Sequence, residues 1–310
     1  MSKVTVVGPE EIRSIVPMRA AIDSVRDAFV ALSAGEFEMP IRTALRDGQF
    51  LVMSAHHRPS GTAMFKTLSL NFAGRQPAIA GTVEWSDVAH AEHLIADAGA
   101  VTSLRTGAAS GVATDLLAPP GARNCVIIGA GAQAPDQIRA VNEVRPLSTL
   151  TIVDRDPARA NVLGELLAGE LPDTTIEVCA DANSVVGGAD IICCATTSAV
   201  PLFSADAVAP DTHVNAIGAF RPTMRELSVD LLARATVVVD ERAAVLEESG
   251  EIIDAVHANV LAERDLAELG HVLVAGFARS RVTVFKTVGI AIQDWAIARA
   301  LSESVLMATA

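Results

Sequence analysis

The stretch Asn124-Cys125-Val126-Ile127-Ile128-Gly129-Ala130-Gly131-Ala132-Gln133-Ala134 decides the fold. An apolar run of strand length enters a glycine-rich turn, and helix-compatible residues follow. Gly129 and Gly131 permit a tight turn and the close approach of a phosphate, and small Ala134 lets the helix pack on the strand. The N-terminus of such a helix offers unpaired N–H groups and a positive dipole end to a pyrophosphate. Gly-x-Gly-x-x-Ala alone is a weak signal, because ordinary strand-to-helix loops also contain it. It gains weight from the next β-like run, Thr149-Leu150-Thr151-Ile152-Val153, which ends in Asp154, twenty positions beyond Ala134. A carboxylate there can accept hydrogen bonds from a ribose 2′-OH. The alternative is a plain βαβ unit with an acidic strand end; the nucleotide-site reading is the better of the two.

Downstream of this stretch, β-like and helical patterns alternate. The strands expected are Cys125–Ile128, Leu150–Val153, Thr175–Cys179, Ile191–Ala195, His213–Ile217, Thr236–Val239 and Val282–Phe285, with helical patterns such as Ala158–Leu171 between them. That alternation predicts a doubly wound parallel sheet. Upstream the pattern differs. Met18, Ile22, Val25, Phe29 and Leu32 form one helical apolar stripe. Ile41–Leu45, Gln49–Met53, Ala63–Leu70 and Ala78–Val83 read as antiparallel or mixed strands, and Ala91–Ala118 as a long helix stopped by Pro119-Pro120-Gly121. The chain therefore divides into an α/β nucleotide domain at 121–289 and a discontinuous α+β domain at 1–120 plus 290–310. The final helix, Val288–Met307, returns to the latter.

The balance of the 310 residues fits this picture. Half are hydrophobic, enough for a sizeable core in about two domains. A net charge of −13 without a basic run argues against nucleic acid or an anionic membrane as partner. The first residues, Met1-Ser2-Lys3-Val4-Thr5-Val6-Val7, read as a short β-like run without the long apolar segment of a signal peptide, and with no uninterrupted apolar stretch of about 20 residues no membrane span is expected. Cys125, Cys179, Cys193 and Cys194 lie in β-like runs without metal-ligand spacing; they read as reduced core residues of a cytoplasmic protein that holds no metal. His56 and His57 read as loop residues, with a substrate-facing role as the lesser alternative.

Three cations of the first domain stand out: Arg42, Lys66 among apolar and small residues, and Arg105 among small ones. A buried cation needs an anionic partner. Converging on one pocket, the three can clamp a substrate carboxylate, Arg by a two-pronged bond and Lys as a point charge. Taken singly, each is better explained by pairing with a local Asp or Glu or by a place at the surface.

The order of several motifs carries a resemblance. Pro40-Ile41-Arg42, Lys66-Thr67-Leu68-Ser69, Ser103-Leu104-Arg105-Thr106-Gly107-Ala108-Ala109, the Gly129–Ala134 turn, Asn215-Ala216-Ile217-Gly218-Ala219, Arg225-Glu226-Leu227 and Phe285-Lys286-Thr287-Val288-Gly289 with Asp294 run in the order of one family. Over nearly its whole length the chain resembles the ornithine cyclodeaminase/mu-crystallin family. The resemblance implies a homodimer whose first domain supplies dimerisation and substrate contacts, and a Rossmann domain that carries NAD(H) or NADP(H). It assigns carboxylate binding to Arg42, Lys66 and Arg105. It assigns cofactor contacts to Thr106, Gly129, Gly131, Ala132, Gln133, Ala134, Asp154, Arg155, Ala195, Thr196, Thr197, Ala216, Ile217, Gly218, Val288 and Gly289. Asp154 favours NAD over NADP by repelling a 2′-phosphate, although Arg155 can receive one.

Where the cyclodeaminases carry acidic residues this chain has Leu51 and Phe220, which cannot activate water or shuttle a proton. Phe220 also favours an apolar substrate side chain over a cationic one. The expected activity is therefore NAD(P)H-dependent reduction of cyclic ketimines or 2-imino acids, or its reverse, an L-amino-acid dehydrogenase. Lys66 is the candidate proton relay, with a water as the alternative. Ornithine or lysine cyclodeamination, and cofactor-dependent binding of a small ligand without turnover, are the other readings.

Overall fold

In the computed structural model the described residues are 3–46, 48–71, 77–279 and 281–306. Met1 and Ser2, at the head of the first β-like run, and Met307, at the end of the expected last helix, lie outside them. The chain forms two compact units, 1–109 with 290–310, and 110–289.

The first unit contains β1 (Lys3–Val7), α1 (Pro9–Ile15), α2 (Met18–Ser33), β2 (Phe37–Glu38), β3 (Thr43–Leu45), β4 (Phe50–His57), β5 (Thr62–Leu70), β6 (Ile79–Asp87), β7 (His90–Asp97) and the start of α3 (Ala98–Leu117). Its seven strands run in the order β1-β7-β6-β5-β4-β2, with β3 also on β4. All neighbours are antiparallel except β1 and β7. The expected helix over Ala91–Ala118 is thus partly strand: α3 begins only at Ala98. Alternation decides it, because Leu94 and Ala96 point inward on β7 while Ile95 between them stays partly exposed. The division between the units falls inside α3, not at the Pro119-Pro120-Gly121 turn.

Strand β5 shows why one face of this sheet is the core. Thr62, Met64, Lys66, Leu68 and Leu70 are buried, whereas Phe65 and Thr67 are exposed. Such period-two burial is what an antiparallel sheet covered on one face requires. Trp295 packs on that inner side, its ring 4.9 Å from Phe37, 4.8 Å from His57 and 5.7 Å from Trp85. His56 and His57 are strand residues of β4, not loop residues: adjacency in an extended chain sends them to opposite faces. His56 faces Glu38, and His57 joins the aromatic cluster with Glu36 on its Nε2.

The second unit continues with β8 (Asn124–Ile128), α4 (Ala134–Val144), β9 (Thr149–Val153), α5 (Pro157–Glu170), β10 (Thr175–Cys179), β11 (Ile191–Cys194), β12 (His213–Ala216), α6 (Val229–Arg234), β13 (Thr236–Val239), α7 (Arg242–Glu248), α8 (Gly250–His257), β14 (Ala267–Glu268), α9 (Leu269–Ala275) and β15 (Thr283–Lys286). The last helix, α10 (Ala291–Val305), belongs to the first unit, and residues 288–290 precede it as loop. Eight parallel strands take the order β10-β9-β8-β11-β12-β15-β13-β14. This is the expected Rossmann arrangement. The two-residue β14 is too short to have left a pattern in the sequence.

Central strands covered on both faces read as unbroken apolar runs. Cys125, Val126, Ile127 and Ile128 are all buried, as are Ile191, Ile192, Cys193 and Cys194. Each buried aliphatic side chain of this size contributes about 1.5–3 kcal/mol. Cys179 departs from the expectation: at the end of edge strand β10 it is only half-buried, and its thiol faces Ser184. The order reverses between β8 and β11, and ligands of open α/β sheets bind at such a reversal, beyond the carboxyl ends of the strands.

Candidate active site

Two groups of the expected residues come together, one in each unit. In the first, Lys66 is fully buried on β5. Its ammonium donates to Asp294 Oδ1 at 2.7 Å and to Thr102 Oγ1 at 2.6 Å. Arg105, on α3, lies with Nε 3.4 Å from the same Asp294 oxygen, and its Nη1 donates to Gln293. Arg42, half-buried between β2 and β3, is near enough for its charge to act on Lys66. The partner of Lys66 is therefore no local carboxylate but one that α10 brings from 228 residues away. Thr106 is one helical turn from Thr102 and donates to its carbonyl at 2.6 Å.

One buried carboxylate thus faces two buried cations, Lys66 and Arg105, and the Arg42 charge is felt at Lys66 as well. Burial is the largest influence on Lys66 and lowers its pKa; Asp294 raises it, Arg105 and Arg42 lower it, and it settles at about 8. Arg105 Nε and Asp294 Oδ2 make no hydrogen bond among the described residues. Buried polar atoms left in that state mark places where water or a ligand is received. Positive excess and spare hydrogen-bonding capacity together make the cluster suited to an anion.

Asp294 and Gln293 were missed as site residues. Asp294 entered only as part of the family pattern, yet a signal was present. It is a lone acid in the apolar run Ile290-Ala291-Ile292-Gln293-Asp294-Trp295-Ala296-Ile297, and a carboxylate on such a face needs a buried cation.

In the second unit, Gly129 ends β8 with φ +100, a left-handed conformation that L side chains rarely adopt. A Cβ there would lie 2.6 Å from Ala195 O. The turn passes Gly131 and exposed Ala132 and enters α4 behind Gln133, with Ala134 buried and Pro135 in the first turn. Asp154 lies just beyond β9. One of its oxygens accepts from Ala130 N at 2.7 Å and the other from Asp156 N at 2.9 Å. It thereby braces the glycine turn as well as ending the strand. Arg155 is exposed beside it, and Arg159, which the sequence reading did not single out, places Nη2 3.4 Å from Ala130 O.

Ala195, Thr196 and Thr197 follow β11; Ala216, Ile217 and Gly218 lie at the end of β12. After β15, Val288 N and Gly289 N both donate to Asp240 Oδ2 at 3.0 Å. These segments all leave carboxyl ends of neighbouring strands. Phe220 is half-buried in the loop after β12, with the Arg221 guanidinium 5.5 Å from its ring centre. Leu51 is buried on β4, where it can neither bind water nor carry a proton.

The residues of the second unit fit a dinucleotide. A turn that requires glycine at 129 opens onto a helix N-terminus at the strand-order reversal, with an acid at the end of the next strand.

The chain is 32% identical over 321 residues to a Δ1-pyrroline-2-carboxylate reductase of Bacillus cereus, covering 97% of this chain and 96% of that one. The structure of Thermococcus litoralis Δ1-pyrroline-2-carboxylate reductase in complex with NADH and L-proline superposes with a TM-score of 0.92 at 29% identity, covering 98% of each chain. That of an archaeal alanine dehydrogenase dimer with bound NAD gives 0.90 at 28%, covering 99% of this chain and 97% of that one. The model of the ornithine cyclodeaminase/mu-crystallin family matches residues 3–309, and the chain belongs to that family.

Proposed function

We propose that the chain is a nicotinamide-dependent reductase of C=N bonds adjacent to a carboxylate, of the cyclic ketimine or 2-imino acid class, and in reverse an L-amino-acid dehydrogenase. The observation that carries this reading is the buried cluster of Lys66, Arg105 and Asp294, with the charge of Arg42 added to it. A substrate carboxylate would balance the positive excess, paired with Arg105 and Arg42. Two of the three N–H bonds of Lys66 are engaged by Thr102 and Asp294, which leaves the third for substrate. Bound at the glycine turn, the dinucleotide supplies the hydride. Lys66, with its pKa lowered to about 8 by burial, supplies the proton that the imine nitrogen takes up, and recovers it in the reverse direction.

Asp154 supports NAD over NADP. Leu51 and Phe220 weigh against ornithine or lysine cyclodeamination, since neither provides an acid–base group. The test is oxidation of NADH and of NADPH with Δ1-pyrroline-2-carboxylate, Δ1-piperideine-2-carboxylate, pyruvate plus ammonia, and pyruvate plus methylamine. Turnover of a cyclic imine, faster with NADH, is expected. Silence across the panel would remove the reading, and a tight ligand complex without hydride transfer would place the chain among binders.

The outer face of the first unit's sheet suits a second copy of the chain. Val4 and Val6 on β1, Phe50 and Val52 on β4 and Phe65 on β5 project from the same face and are 42–70% exposed. An apolar patch of that kind marks an interaction surface. Phe65→Asp should convert a dimer to a monomer in sedimentation velocity; an unchanged coefficient would count against this face.

A further inference from the structure

Glu226 is fully buried, belongs to no helix or strand, and is not used by the chemistry above. Its carboxylate nevertheless meets four donors. Oε1 accepts from Thr196 N at 2.6 Å and Thr196 Oγ1 at 2.9 Å; Oε2 accepts from Gly218 N at 2.7 Å and Ala219 N at 3.2 Å. Thr196 has just left β11 and Gly218 has just left β12, so these N–H groups have lost their place in the sheet ladder and need another acceptor. The two segments touch. A Cβ on Gly218 would lie 2.1 Å from Thr196 O and 2.6 Å from Glu226 Oε1. The glycine turn leans on the first of them, since a Cβ on Gly129 would meet Ala195 O at 2.6 Å and Thr196 Cγ2 at 2.9 Å.

We infer that Glu226 is a positioning residue of the dinucleotide site: one carboxylate that ties together the segments after β11 and β12, on which the glycine turn rests. This rests on the dinucleotide reading above. Glu226 is itself held in place. Its N–H donates to Glu251 Oε2 at 2.6 Å, Glu251 Oε1 lies 2.9 Å from Lys286 Nζ, and Lys286 Nζ donates to Ala219 O at 2.6 Å. The circuit closes on the segment that Glu226 holds.

The circuit contains two carboxylates and one ammonium, all buried. Burial, reinforced by Glu251, pushes Glu226 up to about 7 against the pull of Lys286 and the N–H donors. The neighbouring Cys194 thiol is pushed well above its ordinary value by its own burial and stays neutral, and the Arg225 charge is paired with Asp254. Once protonated, Glu226 gives up its charge and part of its acceptor capacity, so its hold on the Thr196, Gly218 and Ala219 N–H groups weakens. Dinucleotide affinity is therefore full above about 7 and declines as pH falls through that value.

The test is the NADH dissociation constant, by nicotinamide fluorescence, from about pH 5.5 to about 8.5 for wild type, Glu226→Gln and Glu226→Asp. Glu226→Gln should bind about tenfold more weakly at the alkaline end and show no pH dependence below 7, with Glu226→Asp between it and wild type. In the cofactor-free protein, amide exchange at Thr196 and Gly218 should quicken in Glu226→Gln. Unchanged affinity, unchanged pH profile and unchanged exchange would overturn the inference. If wild type binds no NADH, the dinucleotide reading fails, and the exchange rates still decide whether Glu226 holds the two segments. If Glu226→Gln does not fold, the pH dependence of exchange in wild type decides the same point.

Discussion

Replacing Lys66 with Met should reduce kcat/KM for imine reduction by about 10²–10⁴-fold while leaving the NADH dissociation constant unchanged. Met has the length of the lysine stem without its charge. It therefore removes the proton donor and one carboxylate contact but keeps the packing of β5. The fold should survive, because Asp294 keeps Arg105 as its counter-charge 3.4 Å away. Wild type should also show the sign of the proton transfer. Reduction needs the ammonium form, so with NADH saturating at every pH kcat/KM for the imine is flat below the Lys66 pKa of about 8 and falls as pH rises through it. Oxidation of the amino acid needs the neutral amine and rises over the same interval. Both limbs should vanish in Lys66→Met. A variant that keeps the wild-type rate, or the same pH limbs, would assign the proton to a water and leave Lys66 as a binding group alone.

How much of this was legible beforehand depends on whether a signal is local. The Gly129–Ala134 turn and Asp154 are local: a strand, a turn and a helix each carry their own pattern, and the sheet follows from their alternation. Strand β7 was lost because its neighbour is a long helix of small residues. The alanine-rich composition of α3 masked a strand whose two-residue period was the better guide. The cation cluster could be suspected but not assembled. The apolar-flanked acid nearest Lys66 in the sequence is Glu84, which pairs with Phe65 on the outer face, and the partner of Lys66 lies on the last helix. The same holds for Glu226, whose four donors come from two loops upstream of it. Chain neighbours reveal the elements, whereas a buried charge is explained only by whatever the topology places against it.

Asp294→Ala should destabilise the first unit by about 3–5 kcal/mol, the cost of leaving buried charge without its partner. The contrast with Lys66→Met is the point. Removing the ammonium leaves one anion with one close cation, whereas removing the carboxylate leaves Lys66 and Arg105 confronting each other in a buried space, with the charge of Arg42 added. Lys66 answers by giving up its proton more readily, since Asp294 is what raises its pKa against burial and the two arginines. The two tryptophans, Trp85 and Trp295, both belong to the first unit, so the urea dependence of tryptophan fluorescence reports on that unit alone. Asp294→Ala should shift this transition to lower urea. Asp294→Asn keeps the shape and one acceptor for Lys66, so it should shift the transition less, and it should move the alkaline fall in reduction rate below the wild-type value of about 8. An Asp294→Asn enzyme whose profile still breaks at the wild-type pH would show that the carboxylate does not govern the Lys66 proton. An Asp294→Ala transition coincident with wild type would show that the cations are relieved by solvent and that the cluster is not closed as its geometry indicates.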